Sequence, residues 1–99
     1  MIELSSGQRK KLKSLAHHLE PVVMVGQKGI TESLTRAVDK ALSDHELIKI
    51  KFVDFKDDKK SLTGEIVSSV NAGFVGIIGN IAILYRKNPD IPEKERIRV

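Results

Sequence analysis

The spacing of apolar residues along this 99-residue chain switches repeatedly between the period of a helix and that of a strand. Three segments repeat apolar residues every three or four positions, as one face of a helix does, and short apolar or alternating runs separate them. A chain with this alternation can pack its helices on one mixed sheet around a single core. The sequence therefore predicts an α/β or α+β domain with the element order α-β-α-β-α-β-β.

The first predicted helix is amphipathic and basic. A capping-box pair, Ser5 and Gln8, marks its start. Its apolar stripe consists of Leu12, Leu15, Ala16 and Leu19. Because positions four apart stack along a helix, a neighbouring face is basic. That face carries Arg9, Lys10, Lys13 and His17.

A strand, a glycine loop and a helix follow without a spacer. Residues 22–25 are wholly apolar and lie between a proline and a glycine, which predicts a strand buried on both faces. The loop is Gly26-Gln27-Lys28-Gly29. The second helix is predicted to begin with Thr31 as its N-cap. Its apolar stripe consists of Ile30, Leu34, Val38, Ala41 and Leu42.

The second half of the chain is predicted to complete the sheet. Residues 47–52 alternate, which places Lys49 and Lys51 on the exposed face of a strand. A third helix, capped by Asp57 or Asp58, ends at residues 71–73. Two apolar runs joined at Gly79-Asn80 predict a hairpin, so residues 1–87 form the domain and residues 88–99 a polar tail that leaves the core.

Charge and composition limit the possible functions. The net charge is +4, and residues 1–31 hold +3 of it, which favours a polyanionic partner. There is no cysteine, so a disulfide framework, a thiolate zinc site and a cysteine nucleophile are excluded. No apolar run approaches the ~20 residues of a membrane span, and the start lacks a signal-peptide pattern. We expect a cytoplasmic monomer without a membrane partner.

The glycine loop is the segment best suited to bind a ligand. Two glycines allow unusual backbone angles and close approach, and a helix beginning directly afterwards adds unpaired N–H groups. Lys28 supplies a counter-charge, so residues 26–29 could hold a phosphate. The alternative is a strand-to-helix turn that needs glycine for its geometry.

Other polar residues admit two interpretations. The basic residues of the first helix, with Lys49 and Lys51, either contact phosphates or form a solvated surface. Arg86 could contact a nucleotide, whereas Tyr85 is predicted to belong to the core. The sequence indicates no metal, no cofactor and no catalytic residue: His17 and His18 point about 100° apart on a helix, and His45 follows a helix without a paired nucleophile. A hydrolase that uses His17 or His45 is therefore the least favoured hypothesis.

Three blocks of residues, 15–32, 45–51 and 78–86, resemble the YhbY-type CRM domain, a name that abbreviates chloroplast RNA splicing and ribosome maturation. The resemblance implies a fold similar to the C-terminal domain of translation initiation factor three and a GxxG loop likened to that of KH domains. It also implies RNA binding, and stand-alone bacterial members are associated with precursors of the large ribosomal subunit. The chain departs from these patterns in two places. The KH loop joins two helices, whereas this loop follows a strand. At the hairpin, Asn80 stands where relatives of the family often have a basic residue.

The leading hypothesis is a non-catalytic protein that binds ribosomal RNA during large-subunit assembly, without a small-molecule substrate. The residues assigned to RNA binding are Gly26, Gln27, Lys28, Gly29, Arg9, Lys10, Lys13, Lys49, Lys51 and Arg86. The alternative is a protein-interaction adapter that uses the lysine-bearing face of the sheet to meet an acidic partner.

Overall fold

A computed structural model describes residues 2–92 and Ile97. The helices are α1 (Ser6–Ala16), α2 (Glu32–His45) and α3 (Lys59–Val70), and a 3-10 turn, Lys56–Asp58, precedes α3. The strands are β1 (Pro21–Val25), β2 (Leu47–Phe52), β3 (Gly73–Ile78) and β4 (Ile81–Tyr85). They form one sheet in the order β1-β2-β4-β3, in which β1 is parallel to β2 and the other pairs are antiparallel. The predicted α+β class and element order are confirmed.

The helix boundaries follow from local hydrogen bonds. Ser5 and Gln8 form the predicted capping box, with N···O distances of 3.1 and 2.9 Å. The hydroxyl of Thr31 accepts from Leu34 N at 3.0 Å and caps α2 as predicted. The predicted aspartate cap of α3 is wrong, because no side chain bonds at Asp58. The preceding 3-10 turn already curls the backbone there, whereas a capping carboxylate needs an extended N-cap.

The larger core lies between the sheet and the helices α2 and α3, on what we call the α2/α3 face. Alternate residues of every strand point to this face, where α2 and α3 exclude water from them. Its buried residues are Val23, Val25, Val38, Leu42, Ile48, Ile50, Phe52, Ile66, Val67, Val70, Ala72, Ala82 and Leu84. This face supplies most of the buried apolar area that stabilises the domain.

A smaller core lies on the opposite face of the sheet, the α1 face, where α1 packs on β3, β4 and the start of β2. Its buried residues are Leu12, Ala16, Leu47, Val75, Ile83 and Tyr85. The segment before α1 crosses Gly73, where a Cβ would lie 2.8 Å from Cδ1 of Leu4, so a larger residue would force the Leu4 side chain to move. The predicted core position of Tyr85 is confirmed.

The α1 face is only partly covered, which corrects two predictions. β1 is an edge strand, and α1 packs mainly on β2, β3 and β4, so Val22 and Met24 are 50% and 57% exposed instead of buried. The predicted apolar stripe of the first helix is buried only at Leu12 and Ala16: Leu15 is 45% exposed, and Leu19, beyond the end of α1 at Ala16, is 37% exposed. They line an open apolar groove together with Val22.

The residue between α2 and β2 anchors part of the predicted tail. Glu46 is buried and has a φ of 62°. Its carboxylate accepts from Asn88 N at 2.7 Å and from Ile97 N at 3.2 Å, and the Asn88 amide donates to Ser43 O. These two tail residues therefore contact the domain. Residues 93–96, 98 and 99 lie outside the described residues, and the boundary at residue 87 stays a prediction.

Candidate nucleic-acid interface

The glycine loop forms a tight, exposed turn between β1 and α2. Gly29 N donates to Gly26 O at 3.0 Å, and Gly29 has a φ of +64°, so a side chain there would strain the backbone. Gly26 differs, since a Cβ at this position would meet nothing within 4 Å. Gln27 and Lys28 are exposed. Gly29 thus makes the turn, and Gly26 leaves open space beside it.

The N-terminus of α2 contributes less positive potential than the sequence suggested. The Thr31 cap already satisfies one amide of the first turn. Glu32, in the same turn, adds a negative charge and pairs with Arg36 at 2.8 Å. An anion near the loop therefore depends mainly on loop amides and Lys28.

An exposed aromatic residue that the sequence analysis missed lies against the loop. Phe55 has a φ of 54° and a side chain 38% exposed, and a Cβ on Gly29 would lie 3.5 Å from its Cε2. The residue just before it, Asp54, donates its backbone N–H to Val25 O at 3.1 Å. Because β1 and β2 are parallel neighbours, the segments that follow them leave the sheet at the same end of the strands and lie close together. That rule could have located Phe55 from the sequence.

The basic residues of α1 have different surroundings. The guanidinium of Arg9 donates to Leu4 O at 2.6 Å, which ties it to the segment before the helix. Lys10 is exposed on the outer surface of the helix. Lys13 extends over the sheet, where its Cε and Nζ lie above Gly76. Of the three, Lys13 is the one directed onto the strands.

Three lysines lie on the α1 face. Lys49 pairs with Pro21 and Ile83, and Ile83 in turn pairs with Gly76, over which Lys13 extends. Lys51 lies two residues further along β2, toward the end of the strands at which the glycine loop follows β1. The four strands contain no aspartate or glutamate. The face therefore presents positive charge beside residues 26–29.

Arg86 does not join these lysines, although the sequence analysis assigned it to RNA binding. Its guanidinium donates to Asp39 Oδ1 at 2.6 Å and to Val70 O at 2.8 Å, and also to Asp39 O and Ser43 Oγ. These partners belong to α2 and α3, on the other side of the sheet, and the side chain is 18% exposed. The structure thus gives Arg86 a role in joining β4 to the helices.

The hairpin turn is close to a cation that the sequence analysis did not identify. Lys59 Nζ donates to Asn80 Oδ1 at 3.4 Å, so an ammonium from α3 lies beside the hairpin turn. Nothing in the linear spacing of the two residues, 21 positions apart, indicates this proximity.

The histidines are not arranged as a metal or catalytic site. The rings of His17 and His18 meet edge to face, 5.3 Å apart, on the exposed surface after α1, and His45 is the last residue of α2. Within residues 2–92 and Ile97, no three His, Cys, Asp or Glu side chains are placed to hold a metal ion. The same part of the chain has no helix both long and apolar enough to cross a bilayer.

A small α+β domain with a lysine-bearing α1 face and a glycine loop after its first strand is a class that is known from other proteins. The family model of the CRS1 / YhbY (CRM) domain matches residues 4–86. An RNA-binding protein of Haemophilus influenzae is 42% identical over 91 residues, which are 91% of this chain and 92% of the relative. A protein of Pseudomonas aeruginosa, named a probable RNA-binding protein, is 41% identical over 87 residues, 87% of this chain and 84% of the relative.

A solved structure agrees with these matches. The solution structure of a hypothetical protein from Staphylococcus aureus superimposes with a TM-score of 0.78 at 33% identity, covering 91% of this chain and 95% of that one. The chain belongs to the CRS1/YhbY (CRM) domain family. The predicted family is confirmed, and so is the prediction of a protein that is not an enzyme.

Proposed function

We propose that this protein binds RNA without catalysing a reaction, and that its target in the cytoplasm is ribosomal RNA of a large-subunit precursor. The observation that carries the proposal is that the GxxG loop follows an edge strand of the sheet whose α1 face carries Lys49 and Lys51, with Lys13 extending over the same face. The names of the family relatives, which are RNA-binding proteins, support the same partner.

The loop and the lysines suit phosphate groups for different reasons. The loop brings backbone amides to an exposed turn, and Gly26 leaves room for a phosphate oxygen to approach the main chain. The lysines act as point charges that displace counterions from the RNA backbone. Together they contact the sugar-phosphate chain, which positions the protein without reading sequence.

The binding strength of such a surface depends on salt. If the loop and the basic residues neutralise about four to six phosphates, log affinity falls against log salt with a slope near −3 to −5. A salt-independent affinity would contradict the proposal.

Crosslinking in cells, followed by sequencing of the bound RNA, tests the target. The wild type is compared with Lys28→Glu and with a matched charge reversal, Lys40→Glu, on the outer surface of α2, where Lys40 is 78% exposed. We expect wild-type and Lys40→Glu reads to concentrate on one region of large-subunit ribosomal RNA, and Lys28→Glu to lose them. If the wild type, Lys28→Glu and Lys40→Glu crosslink equally, the loop serves only as a turn between β1 and α2, and the proposal is contradicted.

A further inference from the structure

We infer that the uncovered part of the α1 face is a second contact surface, which takes unpaired RNA through its apolar side chains. This inference rests on the proposed function, since it names the form of RNA that the same region of the molecule prefers. Its residues are Met24, Lys51, Ile81 and Ile78, which we call the open row.

The open row crosses the whole sheet. In the register of the strands, Met24 pairs with Lys51, Lys51 with Ile81, and Ile81 with Ile78. Paired residues on neighbouring strands point to the same face. One residue from each of the four strands therefore contributes to a line about 14 Å long, at the usual strand separation.

The open row remains exposed because α1 covers a different part of the face. The described contacts of α1 are with the row of Ile83 and Gly76 and with residues beyond it, away from the hairpin turn. Met24 is 57% exposed and Ile78 60%, at the two edges of the sheet. Folding thus leaves apolar side chains in water on both sides of Lys51, and contact with an apolar surface would remove that unfavourable hydration.

The charges on this face select the partner. Lys51 lies within the row, while Lys49 and Lys13 lie in the next one, and no strand carries an acidic residue to repel a polyanion. A partner that combines anionic groups with flat apolar surfaces fits this mixture. A nucleic-acid strand has both, in its phosphates and in the faces of its bases.

The apolar residues indicate that the bases must be accessible. In a duplex the base faces are stacked on one another, and a protein meets mainly phosphates and 2′-hydroxyls, to which methionine and isoleucine offer nothing. An unpaired strand exposes base faces, which pack on apolar and sulfur-containing side chains. Phe55, beside Gly29, adds an aromatic ring near the Met24 end of the row.

The test measures binding of the full chain to a fluorescent 12-nucleotide RNA, alone and annealed to its complement, by anisotropy. The variant Met24→Gln with Ile78→Thr removes apolar contact, keeps the charge and preserves the β-branch at residue 78. Leu15→Gln is the matched control, because Leu15 is 45% exposed in the groove outside the row. Met24→Leu with Ile78→Leu keeps the row apolar, and circular dichroism verifies that every variant folds.

We expect Met24→Gln with Ile78→Thr to bind the single strand about tenfold more weakly than the wild type does, and the duplex nearly as well. The slope of log affinity against log salt should not change. Leu15→Gln and the double leucine variant should keep the wild-type preference for the single strand. Lys28→Glu should weaken binding to both forms, which tests the proposed function separately.

Two results would overturn the inference. The first result is that Met24→Gln with Ile78→Thr binds both RNAs as the wild type does, while Lys28→Glu loses affinity. In that case the proposed function stands, but the open row does not contact RNA, and a protein would be the partner to test for this surface. If the wild type binds neither RNA at any salt concentration, the proposed function fails and the inference fails with it.

Discussion

The two faces of the sheet are covered to very different extents. Two helices cover the α2/α3 face, so that alternate residues of β1, β2 and β4 are buried there and those of β3 are partly buried. A single eleven-residue helix covers the α1 face and leaves Met24 and Ile78 in solvent. The larger core therefore lies on one face of the sheet, and the bare part of the other face is the surface that we propose contacts RNA.

The largest expected effect of a substitution is on the α2/α3 face. Phe52 is completely buried there, and Phe52→Ala should lower the free energy of unfolding by about 3–5 kcal/mol, because it removes apolar contact and leaves a cavity. Urea denaturation followed by circular dichroism measures the change. Met24→Ala, the exposed counterpart on the other face, should change it by less than about 1 kcal/mol. Similar values for the two would contradict the division between the faces.

Arg86→Ala should give the next largest effect. It leaves Val70 O without this donor and removes the ion pair to Asp39, whose half-exposed carboxylate water then solvates, and we expect a loss of about 1–3 kcal/mol in the free energy of unfolding. RNA affinity of the folded protein should stay within about twofold of the wild type. A large loss of affinity with little loss of stability would instead restore Arg86 to the RNA contacts predicted from the sequence.

Neutralising the lysines of β2 should affect binding and not folding. For Lys49→Gln with Lys51→Gln, the salt slope of single-strand binding should decrease in magnitude by about 1.4, since each phosphate contact contributes about 0.7. The free energy of unfolding should change by less than about 0.5 kcal/mol. An unchanged slope, measured by anisotropy between low and moderate salt, would mean that these lysines do not contact phosphates.

Gly76→Ala should give the smallest effect. A Cβ at residue 76 would clash with Lys13 Cε, so the flexible ammonium must move off the strand while its charge is kept. We expect RNA affinity to fall a few-fold, about the factor produced by Lys13→Gln. Combining the two substitutions should add nothing further, because both remove the same contact. Additive losses would show that Lys13 binds RNA from another position.

The sequence predicted the fold well, because periodicity and capping act locally. The Ser5 and Gln8 pair, the Thr31 cap and the turn at Gly79-Asn80 depend only on nearby residues, and all lie where predicted. The Asp58 cap is wrong because a 3-10 turn forms before the helix. Even that error concerns one turn and not the order of the elements.

The candidate site was less predictable, because it depends on which elements reach one another. Periodicity shows that Val22 and Met24 share a face of β1, but not that α1 stops short of it. Arg86 has the same side chain whether it binds phosphate or Asp39, and only the folded position of Asp39 in α2, next to Arg86, distinguishes the two. Phe55 was not predicted, because its place beside Gly29 depends on the parallel pairing of β1 and β2 and not on local spacing.

The position of β1 at the edge of the sheet has a consequence for the order in which the molecule opens. β1 pairs with β2 alone, through a register irregularity between Pro21 and Val23, whereas β2 and β4 each have two neighbours. Amides of β1 should therefore exchange with solvent through local opening that leaves the three other strands paired. The glycine loop is attached to this strand, so it can adjust its position while the rest of the sheet stays intact.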